Sequence, residues 1–221
     1  MTAIVIDELL SADEVASLNR LFDGAPSDDG RDTAGGTART VKENRQVSRR
    51  WADIGRLDAI VDAALCRCPA FVATLSPRAL SPVIYSSYGP GDAYGVHVDA
   101  VMMGMPPMRQ DLSMTLFLTA PDTYDGGELV LHEPTGRRSF KLPAGAAIIY
   151  PTTVLHEVSP VQRGQRRAAV RWIQSFYRDT EVRQMVADLR QCVELAKAGS
   201  SATALRIGQV LANLERRFID G

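Results

Sequence analysis

Two histidines and one aspartate stand at a spacing that suits a metal ion. His97 and Asp99 are separated by one residue, and His156 follows much later in the chain. Two imidazoles and one carboxylate can occupy one triangular face of a metal and leave the opposite face open, which is the ligand set of a non-haem iron(II) site. The chain has three histidines, and two of them fall in this pattern, so chance is a weaker explanation.

A β-strand explains how one short segment supplies two ligands. Side chains alternate along a strand, so His97 and Asp99 share a face while Val98 points away. His156 lies in another short β-type run near the end of the β-rich region. A lone His-x-Asp pair is more often a strand surface or a hydrogen-bonded pair. The distant His156 is what favours a metal site.

Two other sets of possible metal ligands are interpreted as structural residues. His132 stands at the end of a β-type run and is interpreted as a surface residue. Cys66 and Cys68 lack the paired spacings of thiolate sites, although a metal role is an alternative. Together with Cys192 they make an odd number of cysteines, which indicates reduced thiols in a cytosolic setting.

Arg166 is the candidate anion-binding residue. Alternation along the run that it begins places it on one strand face with Ala168, Val170, Trp172 and Gln174. A guanidinium on the inner face of an otherwise apolar strand is costly unless it meets an anion, and its planar fork of donors matches a carboxylate. The alternative is that Arg166 forms a simple basic turn with Arg163 and Arg167.

Three tyrosines lie close to the His-x-Asp segment, namely Tyr85, Tyr88 and Tyr94. A phenol near the open face of a metal could donate to a bound carboxylate. Buried tyrosines are more often core residues with one satisfied hydroxyl. Tyr88 is the preferred candidate of the three.

Composition sets limits on the class of protein. The chain has 221 residues, a hydrophobic content of 45% and a net charge of −1, as expected of a soluble protein that can bury a core. This balance gives no electrostatic reason to expect nucleic acid as a partner. No window approaches the roughly 18 apolar residues of a membrane helix, and the N-terminus lacks a secretory signal. We expect a cytoplasmic protein with no membrane segment.

Apolar periodicity divides the chain into three regions. Residues 1–77 are predicted to form N-terminal support, with helices at 11–22 and 54–66 and a loop at 24–40. Residues 78–176 contain about eight short β-type runs separated by turns, which suggest a sandwich, barrel or jelly roll. Residues 177–221 form a helical hairpin that covers a sheet edge or joins a second subunit, so a homodimer is one expectation.

These features together resemble a known family. The resemblance to the iron(II)/2-oxoglutarate dioxygenases rests on His97-Val98-Asp99, Asp125-Gly126-Gly127-Glu128-Leu129, His156 and Gly164-x-Arg166, with Trp172 beyond. More closely, the chain resembles the bacterial PKHD-type hydroxylases, relatives of the prolyl 4-hydroxylases. The segment Lys42-Glu43-Asn44-Arg45-Gln46 and the helical hairpin are also similar to that group. Where the family often has Asn after its Lys, this chain has Glu43.

The resemblance implies a mainly β fold with flanking α-helices. Its core is a double-stranded β-helix, or jelly roll, with N-terminal helices and a C-terminal helical hairpin. Iron(II) is implied at His97, Asp99 and His156, and 2-oxoglutarate is implied to chelate the iron and anchor its far carboxylate on Arg166, with Tyr88 as a further contact. O2 is the implied co-substrate, and L-ascorbate (vitamin C) is the typical reductant.

The implied activity is that of an oxidoreductase. Such a dioxygenase hydroxylates an unactivated C–H bond of a protein, peptide or small molecule and releases succinate and CO2. Members of the group are often associated with bacterial iron uptake. Substrate choice is predicted to depend on the segments at residues 24–50 and 101–110, and the sequence does not reveal the prime substrate.

Three alternative functions are open on the sequence alone. A cupin-type metalloenzyme would not need 2-oxoglutarate, although cupins usually use more histidines than this chain has. A non-enzymatic sensor would bind iron and the oxo-acid without turnover. A nucleic-acid demethylase would use the same chemistry, but the mixed charge and the lack of a clear base-stacking element count against it.

Overall fold

The structure is a computed structural model that describes residues 3–219. Six α-helices lie within this range: α1 (Ala12–Asp23), α2 (Gly36–Thr40), α3 (Ile54–Cys66), α4 (Pro69–Leu75), α5 (Thr180–Lys197) and α6 (Ser201–Phe218). Two short 3-10 helices occupy Gly30–Thr33 and Pro121–Thr123. No helix in the described range is both long and apolar enough to cross a lipid bilayer.

The strands are short and occur along most of the chain. In the described range they are β1 (Ile4–Ile6), β2 (Ser27–Asp29), β3 (Lys42–Glu43), β4 (Arg45–Val47), β5 (Pro77–Leu80), β6 (Ile84–Tyr88), β7 (Ala93–His97), β8 (Met102–Met103), β9 (Met108–Arg109), β10 (Leu112–Phe117), β11 (Asp125–Gly126), β12 (Leu129–Glu133), β13 (Gly136–Phe140), β14 (Ala147–Pro151), β15 (Leu155–Val158), β16 (Val161–Arg163) and β17 (Arg166–Ser175).

Two sheets form the core. The major sheet has the strand order β1-β14-β10-β17-β6-β4-β2, with β5 also paired to β17. The minor sheet has the order β13-β12-β15-β7-β3, and the pairs β11-β16 and β8-β9 form separate two-stranded ladders. Apolar side chains from both sheets meet in one buried cluster, formed by Phe117, Leu129, Leu131, Ile148 and Tyr150. The predicted mainly β jelly-roll core with flanking helices is therefore confirmed.

Strand β10 shows that the two faces of the major sheet have different surroundings: helices cover one face, and the other lines a cavity. Leu112, Met114 and Leu116 lie on one face, within the main apolar cluster that α1, α3 and α4 help to form. Ser113 and Thr115 lie on the other face, which lines a cavity between the sheets. All six residues of β10 are buried. A strand covered on both sides can thus present polar groups to an internal site while its other face packs against helices.

Most of the predicted helices are confirmed. Ser11 and Glu14 form the reciprocal capping box expected at the start of α1. Helix α3 spans Ile54–Cys66, as the apolar spacing predicts. The C-terminal hairpin is formed by α5 and α6, whose Val182 and Val186 pack with Leu211 and Leu214. Local pattern is sufficient for these elements because each buries one continuous apolar stripe.

The prediction of a loop over residues 24–40 is wrong. The structure has β2, a 3-10 helix and α2 there. The sequence is rich in Gly, Asp and Thr, which is typical of a loop, yet β2 pairs with β4, a strand supplied by a later segment. Helix α4, which has Pro69 in its first turn, and strand β1, which pairs with β14, were not predicted. Such short elements depend on partners distant in sequence.

The turn before Arg166 contains a glycine whose conformation is required. Gly164 has a φ of +76°, and a Cβ there would lie 2.3 Å from the Thr123 carbonyl oxygen. We expect Gly164→Ala to lower the free energy of unfolding by at least about 1–2 kcal/mol, because an L-residue in the left-handed region is strained. Urea unfolding followed by circular dichroism measures the change.

The matched control for this substitution is Gly208→Ala. Gly208 lies within α6, and a Cβ there would meet no atom within 4 Å. Alanine should raise the free energy of unfolding by up to about 1 kcal/mol, because it favours helix more than glycine does. Equal effects of the two substitutions would contradict the conformational requirement at Gly164.

Candidate metal centre and its cavity

The minor sheet brings the two predicted histidines together. Strands β7 and β15 are antiparallel, and His97 lies directly opposite His156 in the register. Their ring centroids are 4.2 Å apart, and both side chains are buried. Burial, reinforced by the neighbouring His156, lowers the pKa of His97 to about 3. His97 is therefore a neutral imidazole at physiological pH, the form that binds a metal.

Backbone carbonyl groups orient both imidazoles. His97 Nδ1 lies 2.8 Å from the Gly95 carbonyl oxygen, and His156 Nδ1 lies 2.9 Å from the Val154 carbonyl oxygen. A carbonyl oxygen can only accept, so each Nδ1 carries a proton, and in the neutral imidazole the Nε2 lone pair is then available to a metal. Metal-binding histidines are commonly fixed in this way by a hydrogen bond from the other ring nitrogen.

Asp99 completes the group of donors. It lies just beyond the end of β7, and its Oδ1 is 3.8 Å from His156 Nε2. Its Oδ2 is buried without a hydrogen-bond partner among residues 3–219. A buried carboxylate oxygen without a donor is costly unless a cation is nearby. The candidate ligand atoms of His97, Asp99 and His156 all lie within 4.8 Å of one another, so the residues fit an iron(II) ion held on one face.

The predicted strand geometry is nearly correct here. The prediction places Asp99 within the same strand as His97, whereas β7 ends at His97. Val98 is 49% exposed, so it points away from the two buried neighbours as alternation requires. The alternation of side chains thus continues past the last residue that pairs with a neighbouring strand.

A cavity of about 240 Å³ connects the triad with Arg166. Arg166 begins β17 in the major sheet and is 1% exposed. Its guanidinium carbon lies 5.1 Å from the centroid of the Tyr88 ring and 5.4 Å from that of Phe117. Arg166 Nε has no hydrogen-bond partner, and no Asp or Glu in the described part of the chain pairs with this residue. A buried cation of this kind requires an anion that the cavity admits.

Tyr88 lies where its hydroxyl can reach the same region. It is directly opposite Arg166 in the β6–β17 register and lines the cavity. Burial raises the pKa of its hydroxyl, while the charge of Arg166 opposes the shift. The phenol therefore stays protonated at neutral pH and can donate a hydrogen bond.

Other candidates from the sequence lie elsewhere or in a supporting position. Tyr85 belongs to the core on the helix-covered side and donates to Asp58. Tyr94 stacks on His97 with ring centroids 3.6 Å apart. His132 pairs with Glu157 through a 3.0 Å contact and is not in the metal-compatible cluster. Cys66 and Cys68 are outside that cluster too.

The arginines near Arg166 have partners of their own. Arg163 is exposed and pairs with Asp125, while Arg167 pairs with Asp23 at 2.6 Å. Neither residue lines the cavity. The interpretation of the three arginines as a simple basic turn therefore does not apply to Arg166, which is buried at the cavity instead.

Several further residues line the cavity, and some of them belong to the segment at 24–50 that was predicted to set substrate choice. Lys42, Gln46 and the segment 33–38 line the cavity, as do Ser113, Thr115 and Tyr150. The mixed face of the strand at 112–117 is a signal for Ser113 and Thr115. For Lys42 the signal is weaker: it is one of three lysines in the chain and stands in a segment that was matched only by resemblance. Of the residues 101–110, Met103 is the one that reaches the cavity.

Comparisons with known proteins agree with this geometry. Residues 83–174 match the family model described as the 2OG-Fe(II) oxygenase superfamily. A PKHD-type hydroxylase of Klebsiella pneumoniae is 40% identical over 220 residues, which cover 97% of this chain and 98% of the relative.

Two solved structures share the fold at lower identity. A prolyl-4-hydroxylase of Pseudomonas putida has a TM-score of 0.54 and 21% identity, and the match covers 78% of this chain and 92% of that one. A prolyl hydroxylase of Trichoplax adhaerens has a TM-score of 0.57 and 14% identity, covering 83% of this chain and 86% of that one.

Fold and site together define an oxygenase of the iron(II)/2-oxoglutarate class. The near full-length similarity at 40% identity is to a PKHD-type hydroxylase, and the chain belongs to that family. It is therefore an enzyme, an Fe(II)/2-oxoglutarate-dependent dioxygenase. Membership of this family counts against the two alternatives of a cupin-type metalloenzyme without 2-oxoglutarate and a non-enzymatic sensor.

Removal of one imidazole should abolish tight metal binding. We expect His97→Ala and His156→Ala each to weaken Fe(II) binding by more than about 100-fold, the upper end of the effect of losing only an outer-shell partner. Anaerobic equilibrium dialysis measures the affinity. His132→Ala is the matched control, because it removes an imidazole outside the cluster, and it should bind Fe(II) as the unaltered chain does. Equal losses in all three variants would argue against the assignment.

Proposed function

We propose that this chain hydroxylates an unactivated C–H bond of a protein, peptide or small-molecule substrate. In this proposal His97, Asp99 and His156 hold iron(II), and Arg166 and Tyr88 hold 2-oxoglutarate. Bound iron would supply oxygen activation, in which O2 and 2-oxoglutarate are consumed, succinate and CO2 are released, and the substrate gains a hydroxyl group. The observation that carries the proposal is that the triad and the unpaired Arg166 open into one cavity.

The triad residues have a positioning role before any chemistry. Both imidazoles are held through Nδ1 by carbonyl groups of their own strands, so their Nε2 atoms need no reorientation to bind a metal. Asp99 brings the one negative charge to this side of the cavity and has a free buried oxygen. The preorganised donors reduce the entropy that binding would otherwise cost.

Arg166 has the properties required for the far carboxylate of a dicarboxylate. Its guanidinium presents a planar fork of donors, lies almost out of contact with solvent and lacks a protein carboxylate. Charge-assisted bidentate pairing is strong in such surroundings because water does not compete. Tyr88 stands beside it in the register and can add a neutral donor.

Further properties stay predictions. L-Ascorbate as reductant, a cytoplasmic location, a role in iron uptake, and a homodimer through the C-terminal helices are not tested by the geometry. The same holds for the division into residues 1–77, 78–176 and 177–221 as support, catalytic core and hairpin. Nucleic acid is not expected as a substrate, since the net charge is −1.

The test of the proposed reaction is succinate formation. Purified protein with Fe(II), 2-oxoglutarate, ascorbate and O2 should form succinate slowly without a prime substrate, and His156→Ala should not. Mass spectrometry of the products detects succinate. If the unaltered chain forms none, anaerobic binding of 2-oxoglutarate to the Fe(II) form decides the case, and absence of binding would refute the proposal.

The role of Arg166 is tested separately from that of the metal. We expect Arg166→Met to weaken anaerobic binding of 2-oxoglutarate by at least about tenfold, since a charge-assisted hydrogen bond contributes about 1.5–3 kcal/mol. The affinity for Fe(II) should stay unchanged. Arg163→Met is the matched control, because Arg163 is exposed and paired with Asp125. Unaltered 2-oxoglutarate binding in Arg166→Met would rule out this anchor.

A further inference from the structure

The cavity contains a second buried cation, Lys42. This residue begins β3, lies directly opposite Tyr94 of β7 and is 6% exposed. Its Nζ is 4.9 Å from the centroid of the Tyr94 ring, and that ring stacks on His97. Lys42 therefore lies one aromatic ring away from the candidate metal ligands, in the minor sheet, whereas Arg166 lies in the major sheet.

The protein satisfies this ammonium only in part. Lys42 Nζ donates to Thr33 Oγ1 at 3.0 Å, and the Thr33 hydroxyl can donate onward to Gln46 Oε1 at 2.8 Å. Thr33 is the one protein acceptor of Lys42 in the described range, and no carboxylate there forms an ion pair with it. An ammonium has three N–H donors, so two of them lack a protein acceptor.

Burial also affects the protonation of this group. It lowers the pKa of the Lys42 amine to about 8, although the charges of Asp99 and Asp29 oppose the shift. The amine is still mainly charged at neutral pH. A buried ammonium without a counter-ion is costly, and the fold retains it inside a cavity that a ligand can enter.

The balance of charges in the cavity indicates which ligand contacts the Lys42 ammonium. When the site is loaded as proposed, the iron(II) dication and Arg166 are balanced by the Asp99 carboxylate and the dianionic 2-oxoglutarate. Both histidines are neutral ligands. Lys42 is then the one charged group in the cavity that has no counter-charge, and the remaining ligand of the reaction is the prime substrate.

We propose that the prime substrate is a monocarboxylate and that Lys42 binds its carboxylate group. A single compact ammonium matches a single negative charge, whereas a phosphate group would bring about −1.5 to −2. The apolar residues Ala100 and Met103 line the same cavity, so an apolar body suits the rest of the substrate. This inference rests on the proposed function, because it concerns the third ligand of that site.

The experiment compares carboxylates with their amides. The anaerobic Fe(II) form, saturated with 2-oxoglutarate, is titrated with acetate and acetamide and with benzoate and benzamide, and ligand-detected NMR gives the dissociation constants. At least one carboxylate should bind about tenfold more tightly than its amide, the effect of one hydrogen bond to a charged group. In Lys42→Met this preference should disappear.

The matched control is Lys197→Met, which removes the same charge from an exposed position on α5. It should keep the preference for the carboxylate. Equal binding of acid and amide by the unaltered chain, no binding of either, or a preference that survives in Lys42→Met would overturn the inference.

Binding of 2-oxoglutarate separates this inference from the proposed function. It is measured first in each protein, and Lys42→Met should bind 2-oxoglutarate as the unaltered chain does. Loss of 2-oxoglutarate in that variant would assign Lys42 to the co-substrate and overturn the inference alone. Failure of the unaltered Fe(II) form to bind 2-oxoglutarate would instead refute the proposed function.

Discussion

The antiparallel pairing of β7 with β15 is the interaction on which the site depends. It sets His97 directly opposite His156, and a register shift of one residue would turn one imidazole to the other face of the sheet. Strand pairing ends at His97, and the chain then continues far enough to bring Asp99 to the same side. One local register thus assembles three donors that would otherwise need three separate constraints.

Buried charge is the second constraint on the structure. The charged groups lie near both sheets and face the cavity between them. Asp99 and Lys42 are near the minor sheet, while Arg166 belongs to the major sheet. In the described chain Lys42 and Arg166 have no ion pair with a carboxylate, and the ion-pair contact of Asp99 is to the His156 imidazole, 3.8 Å away. Because isolated buried charges are costly, the fold favours binding of a metal and of anions that lie across the gap. Affinity for ligands and the stability cost of these buried charges have the same origin.

Local pattern predicted the elements whose stabilising contacts are local or repetitive. The capping box of α1, the apolar stripes of α3, α5 and α6, and the strand that carries Arg166 all follow from short-range spacing. The prediction of a loop at residues 24–40 was wrong because β2 forms only through its pairing with β4, which lies outside that segment. The short helix α2 beside it has no apolar stripe by which spacing could reveal it, since none of its residues is buried.

The sequence by itself determined the donor types and their periodicity: a His-x-Asp pair at the end of a strand, a distant histidine, and an arginine on the inner face of a late strand. Only the tertiary structure decided which of the three arginines at 163–167 is buried, that Tyr88 lies opposite it, and that Lys42 joins the same cavity. The physical reason is that alternation assigns a side chain to a face of its own strand. The register and packing between strands distant in sequence determine what that face meets.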